Sequence, residues 1–354
     1  MSKYALLIGI NYINTKYRLY GCINDVIVMR KYLIEKRGYS SDNILVLRDD
    51  DSSFLLPDRN NILTKFTDLI NTANINNSAE IFFHYSGHGT YKKDNNKDEI
   101  DGKDEYICPI DFNFICDDDI RGLISNLNNT TKLLSIMDCC NSGTNMDLPY
   151  LYNYVGGKII MLQDNSKKYA NLLSKNIYTL SGCRDDQTSA DAYNVYSVIS
   201  DPSDNRFSIN NGNASGGALT SNLLRLLNKT NTDNFINILD DLHNELKKSY
   251  YPQIPLLSST NNIIPKPQAK PKPKPKPNKR QNKKLNILIK RSLPQMKRSL
   301  PQMKRRLPQM KRRLPPIKRS LVIKHKCQIK NNLRIKNNLR IKRNLIKVII
   351  RKIR

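Results

Sequence analysis

Two stretches about fifty residues apart decide the fold. Residues 82–89 read Phe82-Phe83-His84-Tyr85-Ser86-Gly87-His88-Gly89, and residues 133–143 read Leu133-Leu134-Ser135-Ile136-Met137-Asp138-Cys139-Cys140-Asn141-Ser142-Gly143. Each is an apolar run of strand length that ends in small, turn-forming residues. Each therefore predicts a buried strand with a reactive side chain just past its C-terminal end, where open α/β sheets form their sites.

The two reactive side chains are His88 and Cys140. A thiol needs a base to become a thiolate near neutral pH, and an imidazole beside it can take the proton and return it to a leaving amine. We therefore expect Cys140 to be a nucleophile and His88 its general acid and base.

The sequence around these stretches alternates strand-like and helical patterns over residues 1–264, which is typical of an α/β fold. Helices between the strands favour parallel pairing through right-handed crossovers. The predicted strands lie near 4–10, 43–48, 80–86, 132–138, 158–163 and 176–181, and the predicted helices near 23–37, 59–73, 117–127, 216–228 and 232–249.

Charge separates the chain into two parts. Residues 265–354 contain 33 of the 59 Lys and Arg residues and no Asp or Glu, so the net charge of +28 comes from this tail. Its Lys-Pro alternation and its proline-containing repeats predict an extended, disordered segment. Clustered basic residues could also bind an anionic partner, nucleic acid or acidic membrane, without base specificity.

Nothing in the sequence predicts a membrane span or a secretion signal. No run of about 18 apolar residues is present, and the first predicted strand begins almost at the N-terminus. The seven cysteines are an odd number without a disulfide spacing, which favours a reducing setting. We expect a cytoplasmic location, with the nucleus as an alternative because of the basic tail.

The motifs resemble those of the metacaspases, in the caspase-like clan of cysteine peptidases. The resemblance covers roughly residues 4–260. It implies a caspase-like sandwich with a mostly parallel central sheet of about six or more strands flanked by helices, with a large part near 1–150 and a small part near 175–264. Besides the two stretches above, the matching segments are 11–12, 19–25, 146–149, 181–193, 216–220 and 252–259.

The resemblance implies a cysteine endopeptidase in which Cys140 attacks the scissile carbonyl and His88 transfers the proton. The backbone amides of Gly89 and Cys140 would form the oxyanion hole, and glycine allows the close approach that this requires. Position 141 is Asn where the family usually has His. Since His88 is the general base, we expect activity to survive that difference.

The resemblance also implies specificity for Arg or Lys before the cleaved bond, since metacaspases present acidic groups to that residue. Carboxylates accept the donors of a guanidinium or ammonium group. The alternative is that the two aspartates of the matching pocket positions, Asp25 and Asp138, serve ordinary loop or helix-capping roles. The positions matching the substrate pocket are Cys22, Asp25, Ser86 and Asp138.

A second acidic set matches the calcium-binding positions of metacaspases. Crowded carboxylates need a cation to offset them, and oxygen ligands suit Ca²⁺. Alternatively, residues 117–119 provide negative charge to the first turn of a helix. The four predicted calcium ligands are Asp104, Asp117, Asp118 and Asp147.

We therefore expect a monomeric, calcium-activated peptidase that acts on protein or peptide substrates and trims its own basic tail. The sequence leaves two alternatives open. The first is a catalytically silent module that keeps the caspase fold and only binds. The second is a tether for an anionic partner, acting through residues 265–354.

Overall fold

The computed structural model describes residues 1–76, 78–94, 102–140, 145–182, 191–199, 201, 204–210, 214–229 and 234–264. The helices within these residues are α1 (Cys22–Arg37), α2 (Arg59–Ile75), α3 (Asp117–Ile124), α4 (Ala218–Leu227) and α5 (Phe235–Lys248). The strands are β1 (Ser2–Gly9), β2 (Ile44–Arg48), β3 (Ala79–Ser86), β4 (Gly89–Lys93), β5 (Lys103–Ile107), β6 (Ile115–Cys116), β7 (Lys132–Asp138), β8 (Tyr150–Val155), β9 (Lys158–Gln163), β10 (Asn176–Ser181), β11 (Asp191–Tyr196), β12 (Ala214–Gly217) and β13 (Leu256–Ser259).

The central sheet has eight strands in the order β2-β1-β3-β7-β10-β13-β8-β9. The first five run parallel, as the alternation of strands and helices predicts. Two small antiparallel sheets, β4-β5-β6 and β11-β12, lie outside it. The expected α/β fold with a mostly parallel sheet is therefore confirmed.

Both faces of the parallel half are covered because its strands are apolar on both sides. On β3, Phe82 belongs to a cluster with α1, α4 and α5, while its neighbour Phe83 belongs to a second cluster with α2 and α3. Successive side chains of a strand point to opposite faces. The sheet thus forms the middle layer of a three-layer sandwich, and its strand ends stay available for a site.

The antiparallel end of the sheet differs from the prediction. The segment near 158–163 is a strand, but β9 pairs antiparallel with β8, and β13 pairs antiparallel with both β10 and β8. Gly156 and Gly157 connect β8 to β9 with φ values of 57° and 81°. Two positive φ values are typical of a tight hairpin turn. This glycine pair is the signal for a hairpin in the sequence.

All described residues fall within one compact unit, Met1–Pro267. The division of residues 1–264 into a large and a small part stays a prediction, and the basic tail lies outside the described residues. In the part of the chain that the structure describes, no helix is both long and apolar enough to cross a membrane.

Candidate active site

The register of two adjacent strands brings the predicted catalytic residues to the same edge of the sheet. β3 and β7 are parallel, and Ser86 at the end of β3 lies opposite Asp138 at the end of β7. His88 and Cys140 each follow two residues later. The Gly87 amide also donates to the Asp138 carbonyl at 3.3 Å, so the two loops leave the sheet side by side.

The main chains of the two loops touch at Gly89. A Cβ atom at this position would lie 2.0 Å from the carbonyl oxygen of Cys140 and 3.2 Å from the Cys139 sulfur. Only glycine fits here, because any side chain would push the two loops apart. The assignment of the Gly89 and Cys140 amides to an oxyanion hole stays a prediction.

The His88 ring has a partner that the sequence analysis missed. Its Nε2 atom lies 2.7 Å from the backbone carbonyl oxygen of Tyr17. A carbonyl can only accept, so Nε2 carries the proton and Nδ1 is left as the acceptor. The Tyr17 carbonyl thus orients the imidazole and leaves one ring nitrogen able to accept a proton from a thiol.

A buried pair of tyrosines fixes the backbone of His88. The Tyr12 hydroxyl accepts from the His88 amide at 2.9 Å, and the Tyr85 hydroxyl donates to the His88 carbonyl at 2.8 Å. Both hydroxyls also contact the Cys108 carbonyl, at 2.5 and 3.0 Å. Burial raises the pKa of each tyrosine well above its usual value, so both remain neutral hydrogen-bonding groups at working pH.

The neighbouring Cys108 is not a competing nucleophile. Burial is the main cause that raises its pKa to about 12, and the charge of the nearby Cys140 adds to the effect. The Cys108 thiol is therefore protonated at neutral pH. None of the five cysteines that the structure describes forms a disulfide.

Asp25 lies in the first turn of α1, within hydrogen-bond distance of Ser86 at the end of β3. It is fully buried, and its carboxylate accepts from the hydroxyls of Ser86 at 2.7 Å and Tyr196 at 2.8 Å. The Gly217 amide lies 2.9 Å from both carboxylate oxygens. Burial, followed by the charge of Asp138, raises the pKa of Asp25 well above its usual value.

Asp138 is the second carboxylate among the predicted pocket residues. Its Oδ2 atom accepts from both the amide and the hydroxyl of Thr220, each at 2.8 Å. A Cβ atom on Gly217 would lie 2.1 Å from Asp138 Oδ2 and 2.8 Å from Asp25 Oδ2. The two carboxylates therefore flank the same glycine, and sequence analysis missed Tyr196, Gly217 and Thr220 as parts of the pocket.

The other two predicted pocket residues lie beside these carboxylates. Ser86 is buried against Asp25, and Cys22 is the first residue of α1, one turn before Asp25. The Cys22 amide donates to the Asn11 side chain at 3.1 Å. All four predicted pocket residues thus lie at one place, and all are buried.

His84 supports the pocket from within the sheet. Its Nε2 atom lies 3.2 Å from the Thr220 hydroxyl, which in turn donates to Asp138. Burial lowers the pKa of His84 to about 3, so the ring is neutral and belongs to the structural support of the pocket. His84 is the other histidine of the first motif, and His88 remains the predicted general acid and base.

Comparison with known proteins decides the family. Residues 3–149 match the family model for the metacaspase peptidase C14 domain. Metacaspase-1 of Meyerozyma guilliermondii is 32% identical over 73% of this chain and 70% of its own length. Metacaspase-1 of Candida albicans is 35% identical over 74% of this chain and 65% of its own length.

The chain belongs to the metacaspase family. The resemblance found in the sequence is thereby confirmed, and with it the assignment to the cysteine-type endopeptidases of the caspase-like clan, which act on proteins.

Some curated metacaspases are matched over less than two thirds of their length, such as Metacaspase-1 of Yarrowia lipolytica, matched over 62%. Residues 141–144 and 183–190 of the motifs, which include Asn141, lie outside the described residues.

The predicted calcium ligands of this metacaspase fall into two environments. Asp117 and Asp147 are buried, while Asp118 and Asp104 are partly exposed. Burial is the main cause that raises the pKa of Asp117 to about 6, and the charge of Asp147 contributes. The capping interpretation also finds support, since Asp117 and Asp118 open α3 and the Asp119 side chain accepts from the Cys116 amide at 3.3 Å.

Two basic side chains of the metacaspase chain contact this acidic set. Arg121 binds Asp118 and lies 2.6 Å from Asp147, and the Lys168 ammonium lies 3.2 Å from Asp147. The Tyr169 hydroxyl donates to Asp147 at 2.6 Å. Among the described residues, no group of three or more acidic, histidine or cysteine side chains converges in a metal-binding arrangement.

Proposed function

We propose that this metacaspase cleaves peptide bonds after Arg or Lys. The observation that supports it is the pocket carboxylate of Asp25. Among the described residues its hydrogen-bond donors are Ser86, Tyr196 and Gly217, all of them neutral. A buried charge is stabilised best by an opposite charge, which a basic substrate side chain would supply.

The proposed reaction follows from the orientation of His88. Its Nδ1 atom accepts the proton of the Cys140 thiol, and the sulfur attacks the carbonyl carbon before the scissile bond. The backbone amides of Gly89 and Cys140 would stabilise the oxyanion. The imidazolium then gives its proton to the leaving amine, which leaves an acyl-enzyme thioester that a water molecule hydrolyses with His88 as the base.

Hydrolysis of matched fluorogenic peptides tests this proposal. The peptides end in Arg, Lys or Asp and are otherwise identical, and the enzymes are the wild type and Cys140→Ala. We expect wild type to cleave after Arg and Lys only, and Cys140→Ala to cleave none. Cleavage after Asp would contradict the specificity, and a wild-type protein that cleaves nothing would favour the silent binding module.

We also propose calcium as the activator. The donors of Asp104, Asp117, Asp118 and Asp147 are carboxylate oxygens, which suit Ca²⁺, and these residues would hold the ion and be drawn together by its charge. Since Arg121 and Lys168 already contact Asp147, they must move away from that carboxylate for calcium to bind. Titration calorimetry with Ca²⁺ on the wild type and on Asp117→Asn tests the site. Equal binding to both proteins would exclude it.

The basic tail is the proposed site of self-processing. Residues 265–354 offer 33 Lys and Arg residues, each matching the proposed specificity. Incubation of the purified protein with millimolar Ca²⁺, followed by sequencing of the fragments, should show cuts after basic residues in the tail, and Cys140→Ala should stay whole. An intact tail on an active enzyme would refute self-processing.

We propose a monomer that acts in the cytoplasm or nucleus. The hairpin β8–β9 covers the β13 edge of the central sheet, which leaves β13 unavailable for pairing with a second copy. Sedimentation of the wild type measures the association state.

Loss of binding to heparin or acidic vesicles after deletion of 265–354 would support an anionic partner for the tail.

A further inference from the structure

The pocket contains a contact that a substrate must break. The Tyr196 hydroxyl donates to Asp25 Oδ1 at 2.8 Å, the Ser86 hydroxyl donates to Oδ2 at 2.7 Å, and the Gly217 amide lies 2.9 Å from both oxygens. Each oxygen of Asp25 therefore has two donors. Because Asp25 is 0% exposed, a substrate side chain can reach it only after a neighbouring group moves, and among the described residues these three donors are the groups bonded to its carboxylate.

Tyr196 is the donor that can move most easily. Ser86 is at the end of β3, paired to β1 on one side and β7 on the other, and the Gly217 donor is a backbone amide at the start of α4. Tyr196 ends β11 in a separate two-stranded sheet, whose register shifts between Ala192 and Tyr196. Tyr196 is buried, but its exposure of 8% exceeds the 1% of Ser86.

The ring fills space that a glycine leaves open. A Cβ atom at Gly216 would lie 2.2 Å from Cε2 of Tyr196 and 2.9 Å from Asp25 Oδ1. Burial, and then the charge of Asp25, raises the pKa of Tyr196 well above its usual value. The phenol thus stays protonated, and its O–H group donates a hydrogen bond to the carboxylate. It occupies the position at which a cationic group could bind.

We propose that Tyr196 is a specificity-determining residue of the pocket, whose hydroxyl holds Asp25 in the free enzyme and is displaced by the guanidinium or ammonium of the substrate. This inference depends on the proposed function. A guanidinium or ammonium group adds the attraction of opposite charges to its hydrogen bond with the carboxylate, and this attraction is strong in a buried site, so Arg or Lys can replace the phenol. A neutral aliphatic side chain cannot, and it leaves the Tyr196–Asp25 hydrogen bond in place.

Two reversible inhibitors test the displacement. They are tripeptide aldehydes that differ only in the last residue, arginine or norleucine, and their inhibition constants are measured on wild type, Tyr196→Phe and Tyr39→Phe. Tyr39 is the matched control because its hydroxyl also donates to a buried carboxylate, that of Glu80 at 2.9 Å. Tyr39 lies between α1 and β2, away from the pocket.

With Tyr196→Phe we expect the arginine aldehyde to bind about tenfold more tightly, which is the order of one hydrogen bond to a charged group. The norleucine aldehyde should be unaffected, and Tyr39→Phe should change neither. Unchanged or weaker binding of the arginine aldehyde would overturn the inference, weaker binding meaning that Tyr196 positions Asp25 for the substrate. A melting curve confirms that each variant is folded.

The same measurements separate this inference from the proposed function. If wild type binds the arginine aldehyde no more tightly than the norleucine one, specificity for basic residues fails. If wild type prefers arginine and Tyr196→Phe does not increase that preference, only the role of Tyr196 fails.

Discussion

Two buried aspartates of this metacaspase differ in what surrounds them. Asp25 is 0% exposed and accepts from two hydroxyls and a backbone amide, whereas Asp147 is 2% exposed and contacts Arg121, Lys168 and the Tyr169 hydroxyl. Burial raises the pKa of both carboxyl groups. Among the described residues, Asp147 has two cationic partners, whereas the partners of Asp25 are neutral donors.

The comparison teaches where an external cation is needed. A buried ion pair is satisfied once formed, and breaking it leaves a charge uncompensated. A buried carboxylate held by neutral donors gains from a cation that arrives later. Under the proposed specificity for basic residues, we expect Asp25 to recognise the substrate side chain and Asp147 to contribute first to stability.

The largest expected effect is the loss of substrate recognition in Asp25→Asn. Removing one partner of a buried charge pair costs several kcal/mol of binding, so kcat/KM for an Arg peptide should fall on the order of a hundredfold to a thousandfold. Steady-state hydrolysis measures it. Among the described residues no ion pair is broken in this variant, so its melting temperature should fall less than that of Asp147→Asn.

Asp147→Asn should show the opposite pattern. It leaves Arg121 and Lys168 without their shared carboxylate, and the free energy of unfolding should fall by about 3 kcal/mol. Urea unfolding without calcium measures the change. If Asp147→Asn left stability intact while Asp25→Asn lowered it, the contrast between the two aspartates would be wrong.

The buried, neutral His84 should make the stability of the protein depend on pH. Its pKa is about 3 in the folded protein and about 6.5 when unfolded, so the unfolded chain binds more protons between these values. The stability is complete above about pH 6.5 and falls as the pH drops toward 3, by about 2 kcal/mol at pH 5. The free energy of unfolding, measured by urea denaturation from pH 5 to 8, should change less with pH in His84→Gln than in wild type. Identical slopes would contradict the neutral histidine.

Lys168→Gln should have the smallest effect. Arg121 remains beside Asp147 in this variant, so the free energy of unfolding should fall by about 1 kcal/mol. The neighbouring Lys167 is exposed, and Lys167→Gln is the matched control with no expected change. Equal effects of the two substitutions would show that the Lys168 contact adds nothing to stability.

Sequence analysis succeeded where chemistry and periodicity coincide. The buried parallel strands near 80–86 and 132–138 are apolar on both faces, and the structure contains both with matching ends. The resemblance predicted Asp25 and Asp138 as pocket residues, and the structure places both carboxylates beside Gly217. The strand β8 was missed because it is half-exposed and lacks a continuous apolar run.

The groups of the site that the sequence analysis missed could not be recognised from their residue type. The Tyr17 carbonyl that orients His88 is a backbone group, which any residue could supply. Tyr196 lies 171 residues from Asp25 in the chain, and its role depends on the ring filling the space at Gly216. Gly216 and Gly217 were recognised only as part of a segment that matches the family, although close packing is a common reason for glycine.

The most direct test of the central claim is to identify the cysteine labelled by an irreversible peptide inhibitor that ends in arginine. Mass spectrometry of the digested protein locates the modified residue. We predict labelling at Cys140 alone, absent in Asp25→Asn at the same inhibitor concentration, and much slower with the aspartate-ending analogue. Labelling of Cys139 or Cys108, or equal labelling by both inhibitors, would contradict the account.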